Sequence, residues 1–120
     1  MENDVSLRNL AHLGDSVYEL FIREYTVLQT QNIKKLHQLT VSYVNAEFQA
    51  ELLANIEPEL NENELDIIRR ARNLPTTTAR RVNHKLHRLA TAFEALLGYL
   101  YLYDKERLDK ILKLIKPYII

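Results

Sequence analysis

The chain has no cysteine and no tryptophan, and among its 120 residues only two are glycine and three are proline. Without cysteine, disulfides and thiolate metal sites are excluded. With so few breakers, long helices are expected from end to end. No apolar run reaches the roughly 18 residues that a membrane span requires, and no signal-peptide pattern precedes Leu7. Both the phosphate-binding P-loop and the dinucleotide glycine fingerprint are missing, as are the HExxH zinc helix and the GxSxG nucleophile elbow. These absences lead to the expectation of a small cytoplasmic protein with no membrane partner and no small-molecule cofactor.

Apolar residues make up 47% of the chain and charged residues 27%, a globular composition. The length suits one domain spanning residues 1–120, large enough to bury about two thirds of its unfolded surface in a real core. Leu7, Leu10, Leu13, Val17, Leu20, Phe21 and Val27 recur at helical spacing and predict a first helix over residues 5–28. Asn32 is placed to cap a second, running through Leu36, Leu39, Tyr43, Phe48 and Leu52 to Ile56. NENE, residues 61–64, resembles a capping box and opens a third. That helix must stop by Leu74, because Pro75 disfavours helical geometry in the residue before it. LPTTTARRV, residues 74–82, is a loop; Asn83 is expected to cap a fourth helix reaching Tyr103, and Asp104 a fifth that ends before Pro117. No strand alternation interrupts this pattern, and the predicted fold class is all-α, a compact bundle of helices.

Net charge is zero, which taken alone argues against a nucleic-acid partner, but the charges are segregated. Residues 46–66 hold seven acids and no Lys or Arg. Residues 67–93 hold seven bases and no acid: Arg69, Arg70, Arg72, Arg80, Arg81, Lys85 and Arg88. Two readings are open, a pair of solvated helix faces that complement each other within the fold or a basic surface for a polyanion.

Both glycines fall inside predicted helices, where glycine costs about 1 kcal/mol relative to alanine and so has a packing or functional reason. Gly14 directly precedes Asp15 in LAHLGDSVYELF, residues 10–21, and Gly98 lies one helical turn after Glu94 in TAFEALLGYLYLY, residues 91–103. Each accompanies an acid set in apolar sequence. One arrangement accounts for all four residues: two helices cross where glycine removes side-chain bulk, and the two carboxylates converge at the crossing. Two bare carboxylates that close repel, and one takes up a proton unless a hard divalent cation neutralises them. Mg²⁺ fits that role, since it prefers oxygen ligands, accepts one or two carboxylates and keeps waters in its shell. The competing reading pairs each acid with an arginine or a helix cap. Glu19, one turn after Asp15 and one before Arg23, reads as half of an exposed i, i+4 ion pair. His84 and His87 are too weak a pair for a metal site and read as solvated or polyanion-facing, while His12 and His37 read as surface residues.

The stretches that carry this pattern resemble a known family. LGDSV, residues 13–17, resembles the end of the ribonuclease III signature helix, and FEALLGYLYL, residues 93–102, resembles that family's second motif. The longer stretches LAHLGDSVYEL, RRARN at residues 69–73 and TAFEALLGYLYL resemble the small bacterial branch called Mini-ribonuclease III, in the same order and spacing. The resemblance implies an all-helical homodimeric endonuclease without a separate RNA-binding domain. It implies cleavage of double-stranded RNA with Mg²⁺, for which Mn²⁺ can substitute, leaving 5′-phosphate and 3′-hydroxyl ends. Precursor ribosomal RNA of the large subunit is the implied substrate. Asp15 and Glu94 fall on the family's metal-binding catalytic acids. Full-length family members have further acids at the positions of Arg8, Ala11 and Thr91, a set that the small branch mostly lacks; Ala71, Asn83 and His87 stand where that branch often has Gly, Asp and Tyr. Arg69, Arg70, Arg72, Arg80, Arg81, His84 and Lys85 are the candidate RNA-binding residues, and the apolar face of the first helix, Leu10, Leu13 and Val17, is either core or dimer interface. A catalytically dead relative serving as an RNA-binding scaffold is the alternative, although such relatives usually lose the acids that are retained here.

Overall fold

The computed structural model describes residues 5–75 and 84–119. Among the described residues there are six α-helices: α1 (Leu7–Thr26), α2 (Ile33–Val44), α3 (Ala46–Ile56), α4 (Glu62–Arg72), α5 (His84–Tyr103) and α6 (Lys105–Ile115). Single 3₁₀ turns follow α3 at Glu57–Glu59 and α6 at Lys116–Ile119. Among the described residues there is no strand, in line with the all-α expectation. No helix among the described residues is long and apolar enough to cross a membrane.

Side-chain oxygens begin most of these helices where the sequence places them, each accepting from a backbone N–H of the first turn. Asn32 caps α2 through the Lys35 N–H, and Asp104 caps α6 through that of Arg107. Asn61 and Glu64 form the full reciprocal capping box of α4. Ser6 adds a cap at α1. The cap expected from Asn83 lies outside the described residues.

One helix expected from the sequence is two. The segment from Ile33 to Ile56 breaks at Asn45, whose backbone turns extended (ψ 162°) and whose side chain accepts from the Phe48 N–H to start α3. Its amide also donates to the carbonyls of Val41 and Ser42, sealing the end of α2. Asparagine offers the backbone this alternative to helix, and apolar spacing alone did not reveal the break.

α5 is the hub. Ala92, Phe93, Ala95, Leu96, Leu97 and Leu100 are all buried, so the helix is apolar around most of its girth, as a central helix must be. α1 lies along it most extensively, with α4 and α3 on its flanks. α6 closes the core with Leu108, Ile111 and Ile115. Its Arg107 reaches across to α4, where Nε donates to the Glu64 carboxylate at 2.7 Å and Nη2 to the Glu59 carbonyl. Burial by itself would raise the Glu64 carboxyl's pKa; the Arg107 hydrogen bond, with those from Asn61, outweighs it and holds the group below the usual carboxylate range. Leu10 belongs to the core, whereas Leu13 and Val17 are only partly covered.

Candidate active site

Where α1 crosses α5, backbone lies on backbone. A Cβ built on Gly14 would stand 1.7 Å from the Glu94 carbonyl oxygen, and one on Gly98 would stand 2.0 Å from that of Leu10. Each glycine also faces the other: the Gly14 position would meet the Gly98 nitrogen at 2.9 Å, and the Gly98 position the Gly14 nitrogen at 3.1 Å. Neither glycine has a positive φ. They are there for space, not for backbone freedom, and any side chain at either position would force the helices apart.

The crossing sets the neighbouring acids. Asp15, next to Gly14, is exposed; Glu94, packed against Gly14 through its own carbonyl, is half-buried. Their carboxyl groups share a hydrogen bond. Burial first, then the negative charge of Asp15 and the shared hydrogen bond, push the Glu94 carboxyl from its ordinary 4.5 up to about 8, partly offset by a hydrogen bond from the Gln49 side chain. In the metal-free chain Glu94 therefore favours its protonated form at neutral pH. The sequence anticipated the convergence of Asp15 and Glu94, and the structure brings them together.

The surroundings are mostly apolar. Phe93 and Tyr18 are fully buried and meet edge to face, with centroids 5.4 Å apart. The Tyr18 hydroxyl donates to the Tyr43 carbonyl at 2.5 Å, and its pKa is held above its usual range by burial, by the Glu94 charge and by Tyr43. Gln49 enters from α3, buried, with Nε2 donating to the Val44 carbonyl at 3.0 Å and Oε1 lacking any partner. Among the described residues no third acid or histidine joins the pair to make a larger metal-binding cluster. The donor set is oxygen only: two carboxylates and, beside them, an unsatisfied amide oxygen. Such a set could hold a hard divalent cation, which would replace the Glu94 proton.

The other candidate residues are distributed as follows. Arg72 and Lys85 line a shallow depression with Asn73 and Arg88 between the end of α4 and the start of α5. Arg69 and Arg70 instead both bind Asp66 on the same helix, Arg70 Nε at 3.0 Å, so the solvated-face reading accounts for part of the basic block. His84 sits at the first turn of α5, with a buried Nε2. Arg80 and Arg81, with the threonines of the loop, lie outside the described residues. Glu19 and Arg23 form the expected exposed ion pair at 2.6 Å. Three residues had not been singled out for the site. Arg88 had been counted only as part of the basic block. Gln49 had a readable signal, a lone polar residue at a core position in AEFQAELL, the same signal that marked Glu94. Tyr18 had none beyond its helical spacing.

The ribonuclease III domain family matches residues 8–105, the span that holds the glycine crossing of both helices and the acid on each. The chain belongs to the ribonuclease III family, a family of endoribonucleases. Within it the similarity narrows. The chain is 47% identical to a Mini-ribonuclease 3 from Gloeobacter violaceus, covering 92% of this chain and 82% of that protein. It is 50% identical to one from a Thermoanaerobacter species (88% and 76%) and 44% identical to one from a Synechocystis species (89% and 75%). The fold is also similar to a crystal structure of a Fusobacterium nucleatum protein, with a TM-score of 0.86 and 34% identity over 98% of this chain and 97% of that one.

Proposed function

We propose that the chain is a Mg²⁺-dependent endoribonuclease that cuts double-stranded RNA, leaving 5′-phosphate and 3′-hydroxyl ends, with precursor ribosomal RNA of the large subunit as its substrate. The observation that carries this reading is the meeting of Asp15 and Glu94 at the Gly14–Gly98 crossing, close enough for the Asp15 charge to raise the Glu94 pKa. A bound divalent cation supplies a water of lowered pKa and positive charge against the phosphate. Mn²⁺ substitutes for Mg²⁺, as both are oxygen-seeking. The residues do the rest: Glu94 loses its proton as it and Asp15 take the ion, and the Gly14–Gly98 contact keeps their separation constant. Phe93 and Tyr18 keep bulk water from behind Glu94. Neither carboxylate transfers a proton to the substrate.

The grip on RNA comes from Arg72, Lys85 and Arg88 at the α4–α5 junction, joined by Arg80, Arg81 and His84, with Arg69 and Arg70 released from Asp66 when phosphates compete for them. Duplex RNA is read through phosphates and 2′-hydroxyls across a shallow minor groove, which long cationic side chains suit. One such site cuts one strand, so cutting both strands calls for two copies about a two-fold axis. The surface that supports this dimer is the apolar groove of Leu13, Val17, Leu20, Phe21, Tyr101 and Leu112, in which Leu20 is 61% exposed. Leu10, a core residue, takes no part. The protein acts in the cytoplasm.

The decisive experiment compares the parent with Glu94→Gln on duplex RNA, with and without Mg²⁺. The parent cuts only with the metal, while the variant binds RNA as before and does not cut. Cleavage by the variant removes Glu94 from the centre of this reading, and a parent that binds duplex RNA without cutting it favours the scaffold alternative.

A further inference from the structure

Gln49 is placed as a link between the break in the second helical segment and the acid pair. The break at Asn45 leaves the last carbonyls of α2 without helical partners. The Asn45 amide takes those of Val41 and Ser42, the Tyr18 hydroxyl that of Tyr43, and Gln49 Nε2 that of Val44. Tyr18 and Gln49 also face Glu94. The contact with Val44 orients the amide, because its oxygen could not face another carbonyl oxygen. Gln49 is only 3% exposed, yet its Oε1 has no hydrogen-bond partner. An orphaned buried acceptor is a cost that packing alone does not explain. Oε1 and Nε2 sit on one amide carbon, so the unsatisfied oxygen lies next to the donor that meets Glu94.

We propose that Gln49 is a positioning residue of the cation site, its Nε2 fixing the Glu94 carboxylate and its Oε1 accepting a hydrogen bond from a water of the cation's hydration shell. This rests on the reading of Asp15 and Glu94 as the cation-binding pair. Groups of this kind, one shell out from the ion, orient its ligands and typically change metal affinity by about tenfold to a hundredfold when lost. The role suits an amide. A carboxylate at this place would add a third negative charge beside Glu94, whereas the amide donates to one acid and accepts from water without changing the charge of the site.

The test is calorimetric titration of the metal-free full chain with Mn²⁺ alone, beside thermal melting of the same samples. Gln49→Met, close in size and apolar, should weaken Mn²⁺ binding about tenfold or more, with a melting temperature equal to or above the parent's. Parent-like Mn²⁺ affinity in Gln49→Met overturns the proposal. A melting temperature for Gln49→Met well below the parent's assigns Gln49 to packing and also overturns it. Failure of the underlying reading looks different: there the parent itself binds no Mn²⁺, or Asp15→Asn binds it as well as the parent does.

Discussion

α5 meets two neighbours in opposite ways. Against α1 it touches backbone to backbone, in a dry crossing where Gly14 and Gly98 leave room for nothing else. Beside the end of α4 it leaves an opening, where Arg72, Asn73, Lys85 and Arg88 border a depression with exposed side chains. At the first junction burial and the neighbouring Asp15 both oppose the charge of Glu94. The second holds positive charge that no acid in that depression neutralises. The lesson is a division of labour. Chemistry on a phosphodiester demands atoms held to a fraction of an ångström, which rigid glycine-mediated packing provides, while holding a polyanion of variable sequence demands reach and adaptability.

The contrast is most directly broken at the crossing. Gly14→Ala places a methyl group 1.7 Å from the Glu94 carbonyl oxygen, so the helices must separate. We expect a loss of about 3 kcal/mol or more in urea unfolding, with loss of cleavage in whatever fraction remains folded. A midpoint within 0.3 M of the parent, as a rough threshold on the usual urea slope, would show that the crossing is looser than it is drawn.

Arg107→Met should come next, at about 2 kcal/mol, because it strips the guanidinium from a buried Glu64 while Arg107 itself is partly solvated. The depressed Glu64 pKa contributes stability that is present above the unfolded carboxyl pKa and fades as pH falls. The difference between parent and variant, measured by denaturation, should therefore be larger at neutral pH than in acid. A gap that widened in acid would contradict the pairing.

The acid pair has the opposite sign. In the metal-free protein Glu94 keeps its proton up to about pH 8, whereas the unfolded chain loses it near 4.5. The native state binds more protons in that window, so its stability falls as pH rises from 4.5 to 8. Melting temperature should decline by a few degrees across that range, on the order of 5 °C. Glu94→Gln should remove most of the decline, and Mg²⁺ should reverse it at the alkaline end. A flat profile for the parent would mean that the Glu94 pKa is not raised.

At the basic junction the effects belong to affinity alone. Changing Arg72 and Lys85 together to alanine should leave melting unchanged and reduce the salt slope of duplex-RNA binding by about two, one per lost phosphate contact. Arg69→Ala with Arg70→Ala should reduce it less, since Asp66 already competes for both side chains. Equal reductions would erase the distinction between paired and unpaired cations.

How much of this could be read beforehand follows from how local each signal is. The caps at Asn32, Asn61 and Asp104 were legible because capping needs only three or four consecutive residues. So was the meeting of Asp15 with Glu94, because a glycine in a helix and a charge in apolar sequence are both anomalies that seek a reason. The break at Asn45 was not, as apolar spacing continues through it. Gln49 went unnoticed as a consequence, since its place beside Glu94 depends on the angle that the break gives α3. The two unequal halves of the basic block could not be separated either, because Asp66 lies just outside it in the chain yet within one helical turn of Arg69 and Arg70.

By itself, then, the sequence determined the helical class, the start of most helices and the two acids that must be brought together, because composition, caps and glycines act over a few residues. The tertiary structure alone decided that α1 and α5 touch through their backbones, that burial and Asp15 raise the Glu94 pKa, and that an amide from a third helix joins them. Those outcomes depend on distances between segments far apart in the chain, and burial and Coulomb interactions are set by such distances and not by order along the backbone.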